Sequence, residues 1–253
     1  MMDELPSVSC SEEAGVRYLH LGDTPWVQGC MRVRKPYAVE LDYVQRMLAW
    51  LLWHDVTDSA ALQNLHTAQL GLGAASLTKF CLHCLGSTNT VVEINEQVIA
   101  VCHSWFALPQ PDARHRVVCM DAMHWVQAVE NANTVDALMV DLYDHEAAGP
   151  VLDSRDFYAA CRNVLKTGGL VSVNLFGRSQ NFERSLTTLQ QVFGRNQVWA
   201  FKPTREGNAI VLAGKDAALP PIPQLQARCV QLRELWQFKS ATWLKHFKIS
   251  QIY

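Results

Sequence analysis

The chain contains no apolar run approaching the roughly 18 residues needed to cross a bilayer. It also lacks the basic start and apolar stretch of a secretory leader. The opening "MMDELPSVSCSEEAG" is acidic, so a cytoplasmic setting is expected. An excess of positive charge is missing too: the formal net charge is −2, which leaves no basic footprint for nucleic acid. Internal repeats and low-complexity stretches are absent. With 49% hydrophobic and 18% charged residues, the composition is that of a well-buried soluble protein. Its 253 residues suffice for one full α/β domain with an appendage, or for two small domains.

A zinc site is not expected either, although the chain has eight cysteines. The run "CLHC" sets Cys81, His83 and Cys84 close together, but a structural zinc needs a second ligand pair at similar spacing, and none follows. The plainer reading is a buried helix face. Leu77, Phe80, Cys81, Cys84 and Leu85 fall at helical spacing, as do Val98, Ile99, Cys102, Trp105 and Phe106, and again Phe157, Tyr158, Cys161, Val164 and Leu165. Cysteine then acts as a small hydrophobe.

Between residues 63 and 215, short β-rich runs alternate with these helical stripes: "TAQLGL", "TVVEI", "RVVCMD", "DALMVDLY" and "GLVSVNLFG". Apolar strands separated by helices predict right-handed βαβ units and a parallel sheet covered on both faces. "NQVWAF" and "NAIVLAG", joined by "KPTREG", predict an antiparallel hairpin closing that sheet. Such a hairpin is typical of nucleoside-sulfonium transferases rather than of nicotinamide dehydrogenases, by analogy of fold. Residues 1–62 hold short β candidates, "VRYLHL" and "WVQGCMRV", and a helix over "VELDYVQRMLAWLLWH". Residues 216–253 read as a proline-rich connector and a helical tail carrying Leu232, Leu235, Trp236 and Trp243.

Three strand ends carry the functional signal. Gly71 and Gly73 in "LGLGAAS" allow a tight turn into a helix N-terminus, although Ala75 stands where a third glycine would complete the dinucleotide fingerprint. Glu93 ends the second strand 22 residues after Gly71, where an acid grips a ribose diol. Asp121, followed by Ala122, ends the third strand, where a carboxylate can accept from an adenine amine. All three lie at the carboxyl edge of a parallel sheet, the ligand-binding edge of such folds. An adenine nucleoside is the expected ligand, and nothing basic nearby asks for phosphates. The fourth strand then delivers Asp141 and Asp144 in "MVDLYDHEAAGP". Carboxylates there stabilise a sulfonium or an ammonium, and one can take the proton of an attacking amine. A helix cap is the competing role, better suited to Asp153 or Ser154; His145 is read as a polar loop residue.

The order of "GLG", "VEIN", "MDA", "VDLYDHEAAGP" and "DSRDFYAACRNVLKTGGL" resembles the spermidine synthase family of aminopropyltransferases, over residues 16 to 214 and most specifically over 139 to 165. The resemblance implies a Rossmann-like, class I methyltransferase-like fold. It implies decarboxylated S-adenosylmethionine as a co-substrate, with no tightly bound cofactor, a putrescine-like amine as acceptor, and a homodimer. By position Gly71, Gly73, Glu93, Asp121, Ala122 and Gln45 would hold the donor, Asp141 would deprotonate the amine, and Asp144 would bind it. Three positions depart from the family: Ala74 replaces an aspartate of the turn, Asn95 ends "VEIN", and Val44 stands where a tyrosine precedes the glutamine. Two other readings share these residues: an S-adenosylmethionine-dependent methyltransferase on the same scaffold, and a nucleoside-binding homologue without turnover.

Overall fold

The computed structural model describes residues 5–23, 27–142, 152–176 and 180–249. Strands β1 (Val8–Glu13), β2 (Val16–Leu21) and β3 (Val27–Arg32) form a separate antiparallel sheet. The first of them escapes the sequence pattern because its burial is shallow, with four of its six residues exposed. The expected long helix over 39–54 breaks in two. It is α-helical only in α1 (Asp42–Met47) and tightens to a 3₁₀ turn over Leu48–Trp53. Residues 48 to 52 are buried on every side, so no single amphipathic face dictates one regular helix there.

Next come α2 (Ser59–Gln63), β4 (His66–Leu70), α3 (Ser76–Phe80) with a π-helical turn over Cys81–Leu85, β5 (Thr88–Glu93) and α4 (Glu96–Trp105). They are followed by β6 (His115–Cys119), α5 (Ala122–Gln127), β7 (Val135–Val140), α6 (Arg155–Val164) and β8 (Leu165–Phe176). The chain continues through α7 (Gln180–Phe193), β9 (Val198–Phe201), β10 (Asn208–Gly214), α8 (Ile222–Trp236), α9 (Trp243–His246) and β11 (Phe247–Ile249).

The eight strands from β4 onward lie in the order β11-β9-β10-β8-β7-β4-β5-β6. Those from β8 to β6 are parallel, whereas β10, β9 and β11 each pair antiparallel to their neighbours. The α/β class and the antiparallel hairpin therefore match the expectation, but the hairpin does not close the sheet. The tail, expected to be helical, forms α8 and α9 and then ends in the strand β11, which pairs Lys248 with Ala200 at the edge. Helices start where polar side chains cap them: Asn95 accepts from Gln97 N at 2.9 Å, Asp121 from His124 N at 3.1 Å, and Ser154 from Phe157 N at 3.1 Å.

Both faces of the sheet are covered. One carries an aromatic-rich core including Trp50, Trp199, Phe201 and Trp243, formed by the 3₁₀ turn and the tail; the other packs Phe157, Tyr158, Cys161 and Leu189 of α6 and α7. A third core, with Leu19, Met31, Leu72 and Val98, joins the N-terminal sheet to the glycine turn. Cys81, Cys102 and Cys161 are fully buried, and burial pushes the Cys81 thiol up to about 12. Trp105 departs from its stripe: it is 40% exposed and lies under the Arg17 guanidinium, 5.0 Å from the ring centre.

Candidate active site

The parallel register sets the exits of β5, β4 and β7 level with one another and with Asn174 of β8. Leu70 pairs with both Val92 and Val140, and Val140 pairs with Val173. The next residues, Glu93, Gly71, Asp141 and Asn174, therefore form a row across β5, β4, β7 and β8. Asn208 of β10 joins the row, since Ile210 pairs with Asn174 and Asn208 lies two residues away on the same face. A cavity of about 720 Å³ opens over this row.

At one end stands the glycine turn. Gly71 has φ +85°, and a Cβ there would lie 2.2 Å from the Asp141 carbonyl oxygen, so only glycine fits between the two strand exits. Gly73 has φ +51°, and the Cys102 thiol donates to its carbonyl at 3.0 Å. Glu93 is half-buried, and its two carboxylate oxygens accept from Leu72 N and Asn95 N, each at 2.9 Å. It thus ties the turn to the strand exit, a structural task beyond the ligand contact expected of it. Burial raises its pKa, and hydrogen bonds from the Leu72, Asn95 and Ile94 amides oppose that rise. Asp121 and Ala122 line the same wall. Ile94 and Met120, 50% and 42% exposed, line the cavity beside the two acids as a pair of apolar walls fit for a flat base.

The other end is assembled from distant segments. Asp141 lines the cavity floor, its Oδ1 accepting from Asn174 Nδ2 at 2.8 Å, and the Tyr43 side chain also hydrogen-bonds its carboxylate. Burial raises the Asp141 pKa, while Asn174 and Tyr43 work against it. Glu40, Asp42, Glu206, Asn208 and Lys239 complete this end. Among the described residues, six lining residues are acidic (Glu40, Asp42, Glu93, Asp121, Asp141 and Glu206), with Glu40 ion-paired to Arg32 and Asp42 to Arg46, and one, Lys239, is basic. Such a site favours a cationic ligand.

Six of the expected site residues (Gly71, Gly73, Glu93, Asp121, Ala122 and Asp141) line this one cavity. Asp144, with His145 and Glu146, lies outside the described residues. Gln45 is not among the lining residues. It is 5% exposed, donates to Val39 O at 2.8 Å and accepts from Lys239 N at 2.9 Å. Both ends of its amide are committed to joining two cavity walls, so it acts behind the cavity rather than in it. Tyr43 and Asn174 went unrecognised. Tyr43 could have been found: it sits one residue before the position where a tyrosine is sought. Asn174 could not, because nothing in "GLVSVNLFG" marks one polar residue as level with Asp141. Ala74 is 3% exposed, and Gly29 of β3 presses on it so closely that a Cβ on Gly29 would lie 2.7 Å from the Ala74 Cβ.

Among the described residues, no group of three His, Cys, Asp or Glu side chains could hold a metal ion. The family model for the spermine/spermidine synthase domain matches residues 74–218, which include Glu93, Asp121, Asp141, Asn174 and Asn208. The chain belongs to the spermine/spermidine synthase family. It is 31% identical to a polyamine aminopropyltransferase of Neisseria meningitidis over 209 residues, covering 82% of this chain and 76% of the relative. Solved structures agree in fold. A spermidine synthase from Thermotoga maritima superposes with a TM-score of 0.59 at 17% identity, covering 86% of this chain and 75% of its own. Human methyltransferase-like protein 13, solved with SAH, superposes with a TM-score of 0.67 at 21% identity, covering 78% and 93%. The methyltransferase-like fold is common to both enzymes, so the family match and the chemistry of the cavity separate the two activities.

Proposed function

We propose that this protein is an aminopropyltransferase that moves the three-carbon amine of decarboxylated S-adenosylmethionine to a primary amine of a polyamine such as putrescine, releasing methylthioadenosine. The glycine turn, Glu93, Asp121 and Ala122 hold the nucleoside, with Ile94 and Met120 against its base. Asp141 orients the acceptor amine and takes its proton, and Asp144 is its second carboxylate in this reading. The amine nitrogen attacks the methylene beside the sulfonium. A C–N bond forms, the C–S bond breaks with its electron pair going to sulfur, and the proton passes to Asp141. Raised proton affinity suits Asp141 to that task. Holding both partners in line supplies on the order of 7 kcal/mol or more.

The observation that carries the reading is the charge of the cavity. Among the described residues six carboxylates line the cavity, two of them (Glu40 and Asp42) already ion-paired with Arg32 and Arg46. The remaining acidic surplus meets a donor and an acceptor that are both cations. Among the described residues the one basic lining residue, Lys239, comes from the end opposite the glycine turn, so no side-chain cation at that turn is offered to the carboxylate of S-adenosylmethionine itself. This supports the decarboxylated donor over ordinary methyl transfer. The deciding experiment compares initial rates with putrescine and each donor, alongside calorimetry with methylthioadenosine. Turnover confined to S-adenosylmethionine, with a methylated product, would replace aminopropyl transfer by methyl transfer.

The same reading sets the reaction in the cytoplasm, supported by eight unpaired cysteines, which suit a reducing compartment. It also takes the active form as a homodimer, which light scattering on the purified protein measures.

A further inference from the structure

The Asp141 carboxylate is held by a chain of side chains. Asn208 Nδ2 donates to Asn174 Oδ1 at 3.2 Å, and Asn174 Nδ2 donates to Asp141 Oδ1 at 2.8 Å. The order of donors follows from the groups themselves. A carboxylate only accepts, so the Asn174 amide must present its NH₂ to Asp141, and its oxygen then faces the NH₂ of Asn208. Asn174 is 3% exposed and stands on a strand paired on both sides, so its side chain has little freedom to turn. Tyr43 approaches the same carboxylate from α1, with a hydroxyl that can either donate or accept.

We propose that Asn174 is the positioning residue for Asp141, and that Asn208 locks it as a donor, so that the amine proton is received on Oδ2 rather than Oδ1. This rests on Asp141 being the amine-activating base. The hydrogen bond that Asn174 donates lowers the basicity of Oδ1, so Oδ2 is the better site for the amine proton. The Tyr43 hydroxyl, which hydrogen-bonds the same carboxylate, can reverse its donor role once the carboxyl is protonated; the Asn174 NH₂ cannot. The two donors also hold Asp141 in its charged, proton-accepting form against the cost of burial. Among the described residues the charged groups lining the cavity are Glu40 just before α1, Asp42 at its start, Glu93 at the end of β5, Asp121 before α5, Glu206 before β10 and Lys239 after α8.

The test is the pH dependence of kcat/KM for the amine in wild type, Asn174→Leu, Asn174→Asp and Asn208→Leu, with Asp141→Asn as control. Ionisation of the amine itself is common to all and cancels. Asn174→Leu removes a hydrogen bond to the carboxylate, so the acid limb should move upward by about one pH unit. Asn174→Asp keeps the shape and the Asn208 contact but adds a second negative charge, and should move the limb further. This isosteric variant keeps the test open if Asn174→Leu fails to fold. Asn208→Leu should act in the same direction and less strongly. An acid limb left in place in folded Asn174 variants, with only the amine KM raised, would make Asn174 a simple substrate contact and overturn the proposal. A limb that moves in the Asn174 variants but stays in Asn208→Leu would overturn the lock. Wild-type kcat/KM in Asp141→Asn would sink the underlying assignment of the base, an outcome distinct from both.

Discussion

In the proposed reading the nucleoside end of the cavity is lined by residues 71 to 122 and the amine end by residues 40 to 43, 141, 174, 206 to 208 and 239. The first is built largely from backbone: a glycine turn, two strand exits, and carboxylates whose oxygens already accept from main-chain amides. The second is built from side chains brought together by the sheet register, a helix and the tail. A backbone-built end tolerates little change in conformation, as the fit of Gly71 against Asp141 shows. A side-chain-built end is where substrate choice and proton handling can differ among relatives with one fold.

Four experiments press on that contrast. The largest effect should come from the amine end. Asp141→Asn keeps the shape but removes the base, so turnover should fall about 10²–10⁴-fold while methylthioadenosine still binds. Initial rates and calorimetry on the same preparation check both halves, and equal damage to both would mean that the two ends are one unit. Raising the pH should partly restore the variant, because more of the amine is then neutral without help.

At the nucleoside end, Glu93→Ala should weaken methylthioadenosine binding by about 1–3 kcal/mol, the cost of losing a hydrogen bond to a charged group. Because Glu93 also holds the Leu72 and Asn95 amides, this variant should melt at lower temperature, whereas Asp141→Asn should not. Parallel calorimetry and thermal melts separate these outcomes.

Ala74→Asp tests whether the family's aspartate can simply be restored. Gly29 closes over this position, so the new carboxylate would be buried without a partner. A stability loss of about 1–3 kcal/mol is expected, with no gain in donor affinity. Tighter binding of decarboxylated S-adenosylmethionine would show instead that the turn has room for a side-chain contact.

The smallest effect lies away from the cavity. Burial lowers the pKa of His54, His66 and His115 in the folded chain. Their neutral forms therefore stabilise the fold above the ordinary histidine pKa of about 6.5, and that contribution fades as the pH falls through their lower folded values. Melting temperature should decline from pH 7.5 to pH 5.5, less steeply in His115→Gln than in wild type. A flat profile would remove burial of these rings as a source of stability.

The nucleoside end was legible in the sequence because each of its parts is a local pattern. A glycine turn, an acid 22 residues on and an aspartate after the next strand declare themselves along the chain, as does the alternation of apolar strands and helical stripes. Much of the amine end was not, since it depends on which residues become level when strands pair. Gln45 illustrates the limit: a polar residue in a helix gives no sign of whether it faces a ligand or spans two backbone groups, and here it spans Val39 and Lys239. The strand Phe247–Ile249 is similar, because three residues gain strand identity only from the β9 edge they meet.

By itself, then, the sequence determined the α/β class, the βαβ order, the glycine turn and the acids at its strand exits, all set by periodicity and spacing within single segments. Only the tertiary structure decided that Asp141 would press on Gly71, that Asn174 and Asn208 would stand in line behind it, that Tyr43 rather than Gln45 would reach the cavity, and that Gly29 would seal Ala74. Those contacts join residues roughly 30 to 100 positions apart, and strand register and helix packing, not local preference, fix which of them meet.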